Sequence, residues 1–270
     1  GEPGASITLY GPLAAGGNGK LATGVVSLDG TWSLQPAGAG WVEGLNRFTA
    51  SQADLAGNRS AELTAEFTLD TTAPLTPVVT GLKPDTGFSS DDGITAEALP
   101  VLRGTTEPGA VVAVTIDGKP AGTVTAGPDG VWSLPLALRQ ADGTHKVQAQ
   151  AMDAAGNLSV AGPVYTFVVD TRVPDAPLVT GFDEDTGASA SDGLTSDTTP
   201  KVLGTAEAGA LVTLVVDGVE SAKRLVGSDR KFQLPIDNPL AEGSHTVEVY
   251  ATDPAGNVGK RSVTRLLTID

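Results

Sequence analysis

The sequence predicts an all-β protein, a tandem array of antiparallel β-sandwiches forming an elongated rod. Three observations predict it. The chain repeats itself with a period of 100 residues, its apolar residues alternate at period two in short stretches, and turn-forming residues separate those stretches. The repeat is read from ordered coincidences. Trp32-Ser33-Leu34 returns as Trp132-Ser133-Leu134 and, changed, as Phe232-Gln233-Leu234. Ala56-Gly57-Asn58 returns at Ala155-Gly156-Asn157 and Ala255-Gly256-Asn257, and Glu2-Pro3-Gly4-Ala5 at Glu107-Pro108-Gly109-Ala110 and Glu207-Ala208-Gly209-Ala210. Asp70-Thr71 returns at Asp170-Thr171, and the sequence closes on Asp270. The repeats therefore span 1–70, 71–170 and 171–270, with the first lacking the front third of the pattern and so expected to lack its first two strands, about a quarter of a sandwich.

Within the second repeat the pattern predicts seven strands: A over 76–82, B over 100–106, C over 111–117, D over 121–126, E over 131–136, F over 144–153 and G over 158–170. Val112, Val114 and Ile116 share one parity, as do Val212, Leu214 and Val216 one period later. Trp132, Leu134, Val147, Ala149 and Ala151 are expected in the core, with Lys146, Gln148 and Gln150 facing water. Tryptophan carries the largest apolar area, so the Trp-x-Leu pair reads as packing rather than as a ligand platform. Turns fall at Asp117-Gly118, Pro128-Asp129-Gly130, Asp142-Gly143 and Ala155-Gly156-Asn157. Seven short strands in such a length is the arithmetic of an immunoglobulin-like sandwich. The joints at 70–77 and 170–177 carry two prolines each, which stiffens them and predicts a rod.

Composition excludes several functions. Lys plus Arg is 17 against 32 Asp plus Glu, a net charge of −15, which leaves no basic face for nucleic acid. No apolar run approaches the ~18 residues needed to insert into a membrane. There is no cysteine, so disulfides contribute nothing. No leader is visible, and a start at Gly1 reads as the interior of a longer protein.

The ordered set Asp-Thr-x-x-Pro-x-x-Pro, Asp-Thr-Gly, Asp-Gly-Ile/Leu-Thr, Gly-Thr-x-Glu-x-Gly-Ala, Asp-Gly-x-Trp-Ser and Asp-x-Ala-Gly-Asn resembles bacterial immunoglobulin-like repeats of giant secreted adhesins and biofilm-associated surface proteins. The resemblance covers the whole chain, with the first repeat partial. It implies a non-enzymatic stalk, secretion to the bacterial cell surface, neighbouring repeats of the same parent chain as partners, a role in cell adhesion, and Ca2+ at or near the joints. The third repeat departs from it at Arg230 and Phe232, and Lys83 stands where that repeat has Asp183.

Strand direction points to the same joints. With strands alternating, turns A–B, C–D and E–F share one end of a sandwich, and B–C, D–E and F–G share the other. The first end of one repeat then abuts the second end of the next. The expected metal ligands at the second joint are Asp85, Asp91, Asp92, Asp142 and Asp170 from one repeat and Glu207, Asp229 and Asp253 from the next. Asp183, Asp185 and Asp192 repeat the A–B loop set in the third sandwich. The first joint is poorer, with Asp70, Glu43, Asp129 and Asp153. Calcium takes six to eight oxygens in irregular geometry, which such loops supply. Carboxylates ~5 Å apart repel by about 1 kcal/mol per pair in water and more when buried, so a cation would close what charge otherwise splays. Asp153 and Asp253 also fit plain turn chemistry, while the long A–B loop has no simple turn explanation.

Rival readings are weaker. Asp85-Thr86-Gly87 and Asp185-Thr186-Gly187 look like an aspartic-protease signature, but the flanks are polar and the copies lie in separate sandwiches. His145 and His245 open strand F as corner residues, with Asn46 in the first repeat, and no second His or Cys suggests zinc. A host-cell or surface glycan is the alternative partner, with Trp41 as the candidate stacking surface.

Overall fold

The computed structural model of the chain describes all residues except Gly187, Ala188 and Ala190. Among the described residues every regular element is a strand. Contacts group the chain into two compact units, one of Gly1–Ala73 with Ala154–Asn157, the other of Pro74–Asp153 with Leu158–Asp270.

The first unit holds β1 (Ser6–Pro12), β2 (Asn18–Val25), β3 (Gly44–Ala53) and β4 (Leu63–Leu69), in one antiparallel sheet of order β2-β1-β3-β4. Ile7, Leu9, Leu21 and Ala50 are buried on one face. Trp32 and Leu34 lie in an irregular stretch rather than a strand. Among the described residues this unit thus forms a single sheet: strands A and B are absent as expected, and the counterpart of strand E is not a strand either. The reason is visible in the second repeat, where the strand bearing Trp132 pairs only with strand B. Without B, its counterpart has no ladder to join. Trp41 meets Phe67 edge-on at a centroid distance of 5.0 Å and Phe48 at 6.5 Å, so it belongs to an aromatic cluster on this face.

The second repeat comprises β5 (Val78–Lys83), β6 (Ile94–Thr95), β7 (Val101–Thr105), β8 (Val111–Ile116), β9 (Lys119–Thr125), β10 (Val131–Pro135), β11 (Gly143–Met152) and β12 (Tyr165–Val169). The third follows it with β13 (Leu178–Phe182), β14 (Leu194–Thr195), β15 (Lys201–Thr205), β16 (Leu211–Val216), β17 (Val219–Leu225), β18 (Lys231–Pro235), β19 (Gly243–Thr252) and β20 (Arg265–Ile269). Each is a sandwich of a three-stranded and a five-stranded sheet, β10-β7-β5 on β6-β12-β11-β8-β9 and β13-β15-β18 on β14-β20-β19-β16-β17.

The cores follow the alternation. Val112, Val114, Val147, Ala149 and Ala151 are buried, while Lys146, Gln148 and Gln150 are exposed. Trp132 is 1% exposed and stands directly across the ladder from Gly104. A Cβ on Gly104 would lie 2.2 Å from the indole, so glycine is what lets the ring cross β7. Gly204 and Phe232 repeat the arrangement.

Two local expectations differ. Strand G begins at Tyr165 rather than near 158, because Gly162 instead donates its N–H to Ala149 O and Pro163 has none to give. The short β6 was not expected. It adds to β12 in parallel, which makes the A–B connection a structured part of the sandwich edge.

Candidate functional site

Within the second compact unit, the loop between β5 and β7 reaches the turn after β19. Thr86 Oγ1 accepts from Ala96 N at 2.7 Å and donates to Ala255 O at 2.6 Å. Phe88 N donates to Pro254 O at 3.3 Å, and Asn257 Nδ2 to Asp170 O at 2.7 Å, on the linker itself. Gly87 sits at φ +100°, where a Cβ would fall 1.9 Å from Pro254 O. Its absence lets the two backbones touch. Ala255 and Asp253 are buried there. The Asp-Thr-Gly stretch is therefore a docking loop; of its second copy, Gly187 lies outside the described residues. In the first unit, Asn157 Nδ2 donates likewise to Asp70 O at 3.0 Å.

The joint is stitched mainly by hydroxyl, amide and carbonyl groups. Among the described residues no three carboxylates or imidazoles are arranged to hold a metal ion. Asp253 accepts from Asn257 N and Nδ2, both at 2.8 Å, within its own turn. Asp54 does the same with Asn58, and Asp153 takes the matching sequence position. Asp129 and Asp229 accept from Val131 N and Lys231 N two residues on. Asp142 accepts from Thr171 N and Oγ1 at 3.0 and 2.8 Å and from Arg172 Nε at 3.1 Å, and the Thr171 bonds hold its carboxyl below the usual range. Glu43 makes the same clasp on Thr71. Asp70 and Asp170 each accept from the linker amide two residues on, Thr72 N and Arg172 N, and Asp183 binds the Lys201 backbone and ammonium groups.

The A–B loops differ. Asp85 Oδ2 accepts from Gly93 N at 3.0 Å, and Asp185 Oδ2 from Gly193 N at 3.1 Å. The Oδ1 atom of each is buried with no hydrogen-bond partner among the described residues. Burial pushes the Asp85 carboxyl up, and the charges of Asp92 and Asp91 push it further. Burial and the charges of Asp85 and Asp92 also raise the Tyr165 phenol. Asp92 and Asp192 accept from Ile94 N and Leu194 N, and Asp91 from Ser89 Oγ. An orphaned carboxylate oxygen costs about 1–3 kcal/mol or more, and a hard cation would satisfy it. Lys83, Asp91, Arg103 and Tyr165 line a cleft of ≈ 260 Å³ beside Asp85. In the third repeat Asp183 and Leu203 replace Lys83 and Arg103, which makes that loop more negative. Asp85 and Asp185 therefore each offer one open carboxylate oxygen to a hard cation, with no third acidic group gathered beside it among the described residues.

Sequence reasoning missed three features: the Thr86–Gly87 contact, the Gly104–Trp132 fit, and acceptors on both nitrogens of each histidine ring. The first two had a signal, a glycine fixed relative to the repeat.

A family profile described as bacterial Ig-like domain matches residues 73–171 and 174–270. Among curated proteins none matches. Similar solved structures include that described for host cell surface retention of a 1.5-MDa bacterial ice-binding adhesin, 22% identical over 100% of this chain and 87% of that one, with a TM-score of 0.40. A tetra-tandem repeat from the extending region of a large adhesion protein is 27% identical over 99% and 67%, with a TM-score of 0.32. The BSP domain of a biofilm-associated protein is 13% identical over 98% and 60%, with a TM-score of 0.27.

Proposed function

Because the chain belongs to the bacterial Ig-like domain family, we propose that it is a non-enzymatic stalk segment of a large bacterial surface adhesin, serving cell adhesion and biofilm formation by spacing other parts of its parent from the cell. The observation that carries this reading is the stitched joint between the second and third repeats. A spacer must resist bending, and backbone-to-backbone contact at Gly87 with three direct hydrogen bonds opposes it. Among the described residues no helix is long and apolar enough to cross a membrane. The partners on this reading are neighbouring repeats of the same parent.

Ca2+ is the second part of the proposal. Its ligands would come from the A–B loops, led by the open Oδ1 of Asp85 in the second repeat and of Asp185 in the third. When bound, the ion supplies positive charge to the orphaned oxygens and fixes the loop that carries Thr86 and Gly87. It thereby stiffens the joint indirectly.

Calorimetric melting in calcium and then in chelator tests this. Saturation to 100 times Kd contributes about 2.7 kcal/mol, or roughly 10–20 °C for a ~100-residue repeat. The Asp85→Asn, Asp185→Asn double variant should lose that shift. In chelator it should melt no lower than wild type, since at Asp85 it removes a charge that burial disfavours. Equal melting of the wild type with and without calcium removes the metal. A scattering envelope of the chelated wild type as compact and bent as flexibly linked beads removes the stalk.

A further inference from the structure

We propose that His145 and His245 are protonated pins that hold the strand-F corner to the C–D turn, and that in the second repeat rising pH releases the segment controlling the linker. The geometry is the same twice. His145 Nδ1 lies 2.7 Å from Asp117 Oδ2 and Nε2 lies 2.8 Å from Ala141 O. His245 Nδ1 lies 2.6 Å from Asp217 Oδ2 and Nε2 lies 2.8 Å from Ala241 O. A carboxylate and a backbone carbonyl can only accept, so each ring must donate from both nitrogens, which only the imidazolium does. A neutral ring would set a lone pair against one of these oxygens, and one contact would break.

The carboxylates are built in. Asp117 and Asp217 adopt φ of 51° and 49°, and their second oxygens accept from Lys146 N at 2.9 Å and Thr246 N at 2.8 Å. Their backbone N–H groups donate to Lys146 O and Thr246 O. The charged group acting on the first ring is Asp117 from the C–D turn, and the segment before β11 faces it with the Ala141 carbonyl. β12 presents Phe167, whose ring lies 5.2 Å from the imidazole. On the second it is Asp217 from the turn, with the Ala241 carbonyl from the segment before β19 and Leu267 opposite on β20. The first repeat has Asn46 at this corner, bonded to Val42 and Gly44 without a titrating group.

The titration supports the geometry. Burial lowers the His145 pKa, but the Ala141 carbonyl and the Asp117 carboxylate outweigh it and the net shift is upward. His245 is raised chiefly by Asp217. A raised histidine stabilises fully below its unfolded value of about 6.5 and loses that contribution as pH climbs through the folded value. Ala141 precedes Asp142, which clasps Thr171 at the start of the linker. Release of Ala141 therefore loosens the clasp.

Ring-nitrogen NMR on the full chain reads this directly. Both rings should be doubly protonated at pH 7, with midpoints above that of free histidine, and Asp117→Asn should lower the His145 midpoint. The Thr171 amide resonance should move with the His145 titration. The His145→Asn, His245→Asn variant copies the first repeat's own corner and should stay folded. The fall in melting temperature of the wild type between pH 6 and pH 9 should vanish in it. Neutral, singly protonated rings at pH 7, or the same pH dependence in variant and wild type, would overturn the proposal.

Discussion

Trp132→Ala is expected to destabilise the second repeat by about 3–5 kcal/mol, the usual cost of emptying a fully buried aromatic site. Trp132 lies between the two sheets, touched by the strand that carries Gly104. Phe232→Ala should cost a comparable amount in the third repeat, where the ring is 2% exposed. Trp32→Ala at the equivalent position should cost no more than about 1 kcal/mol. That ring is 38% exposed and no sheet opposes it among the described residues, so little area returns to water. Chemical denaturation followed by far-ultraviolet circular dichroism on the three variants checks the order. Equal losses at Trp32 and Trp132 would mean that the first repeat is covered as the others are. Gly104→Ala supplies the converse test, because the added carbon meets both the indole and Val78 O, at 2.2 and 2.3 Å. Overpacking of that kind costs about 1–3 kcal/mol or more.

Gly87→Val should open the joint between the second and third repeats while leaving both sandwiches folded. Any side chain there meets Pro254 O, and φ of +100° strains it besides. The loop has to withdraw, taking with it the Thr86–Ala255 and Phe88–Pro254 bonds. At about 0.5–1.5 kcal/mol each, their loss removes about 1–3 kcal/mol from the joint. Core melting should change little, because none of these residues lies in a hydrophobic cluster. Relaxation measurements should show the two repeats tumbling more independently, and the Phe88 amide should exchange faster. Asn257→Ala, which removes the donor to Asp170 O, should act in the same direction and more weakly. Unchanged relaxation in Gly87→Val would show that the contact does not restrain the joint.

Much of the fold was legible because strand periodicity is local. Alternation at 112, 114 and 116 or at 147, 149 and 151 says which face is buried wherever the partner strand comes from. Turn glycines and aspartates are equally local, which explains why Asp129 and Asp229 act within two residues of themselves. The joint was legible only in outline. Strand direction places the A–B loop opposite the F–G turn, and that meeting occurs at Thr86 and Ala255. Charge counting could not say which acids already have donors. Turn chemistry already set Asp253 apart from Asp85, but nothing in the sequence set Asp142 apart; Thr171 and Asn257 occupy Asp142 and Asp253, while Asp85 and Asp185 keep a buried oxygen without a donor among the described residues.

By itself the sequence determined the strand faces, the repeat and its register, and the ends at which the repeats meet, since all of these depend on residues near one another or on a fixed period. Only the tertiary structure decided that the first repeat forms a single sheet, that glycines at 87 and 104 exist to admit another group, and that each histidine faces two acceptors. Those facts depend on donors, rings and carbonyls brought together from distant positions, and spacing along a chain does not encode what will stand opposite.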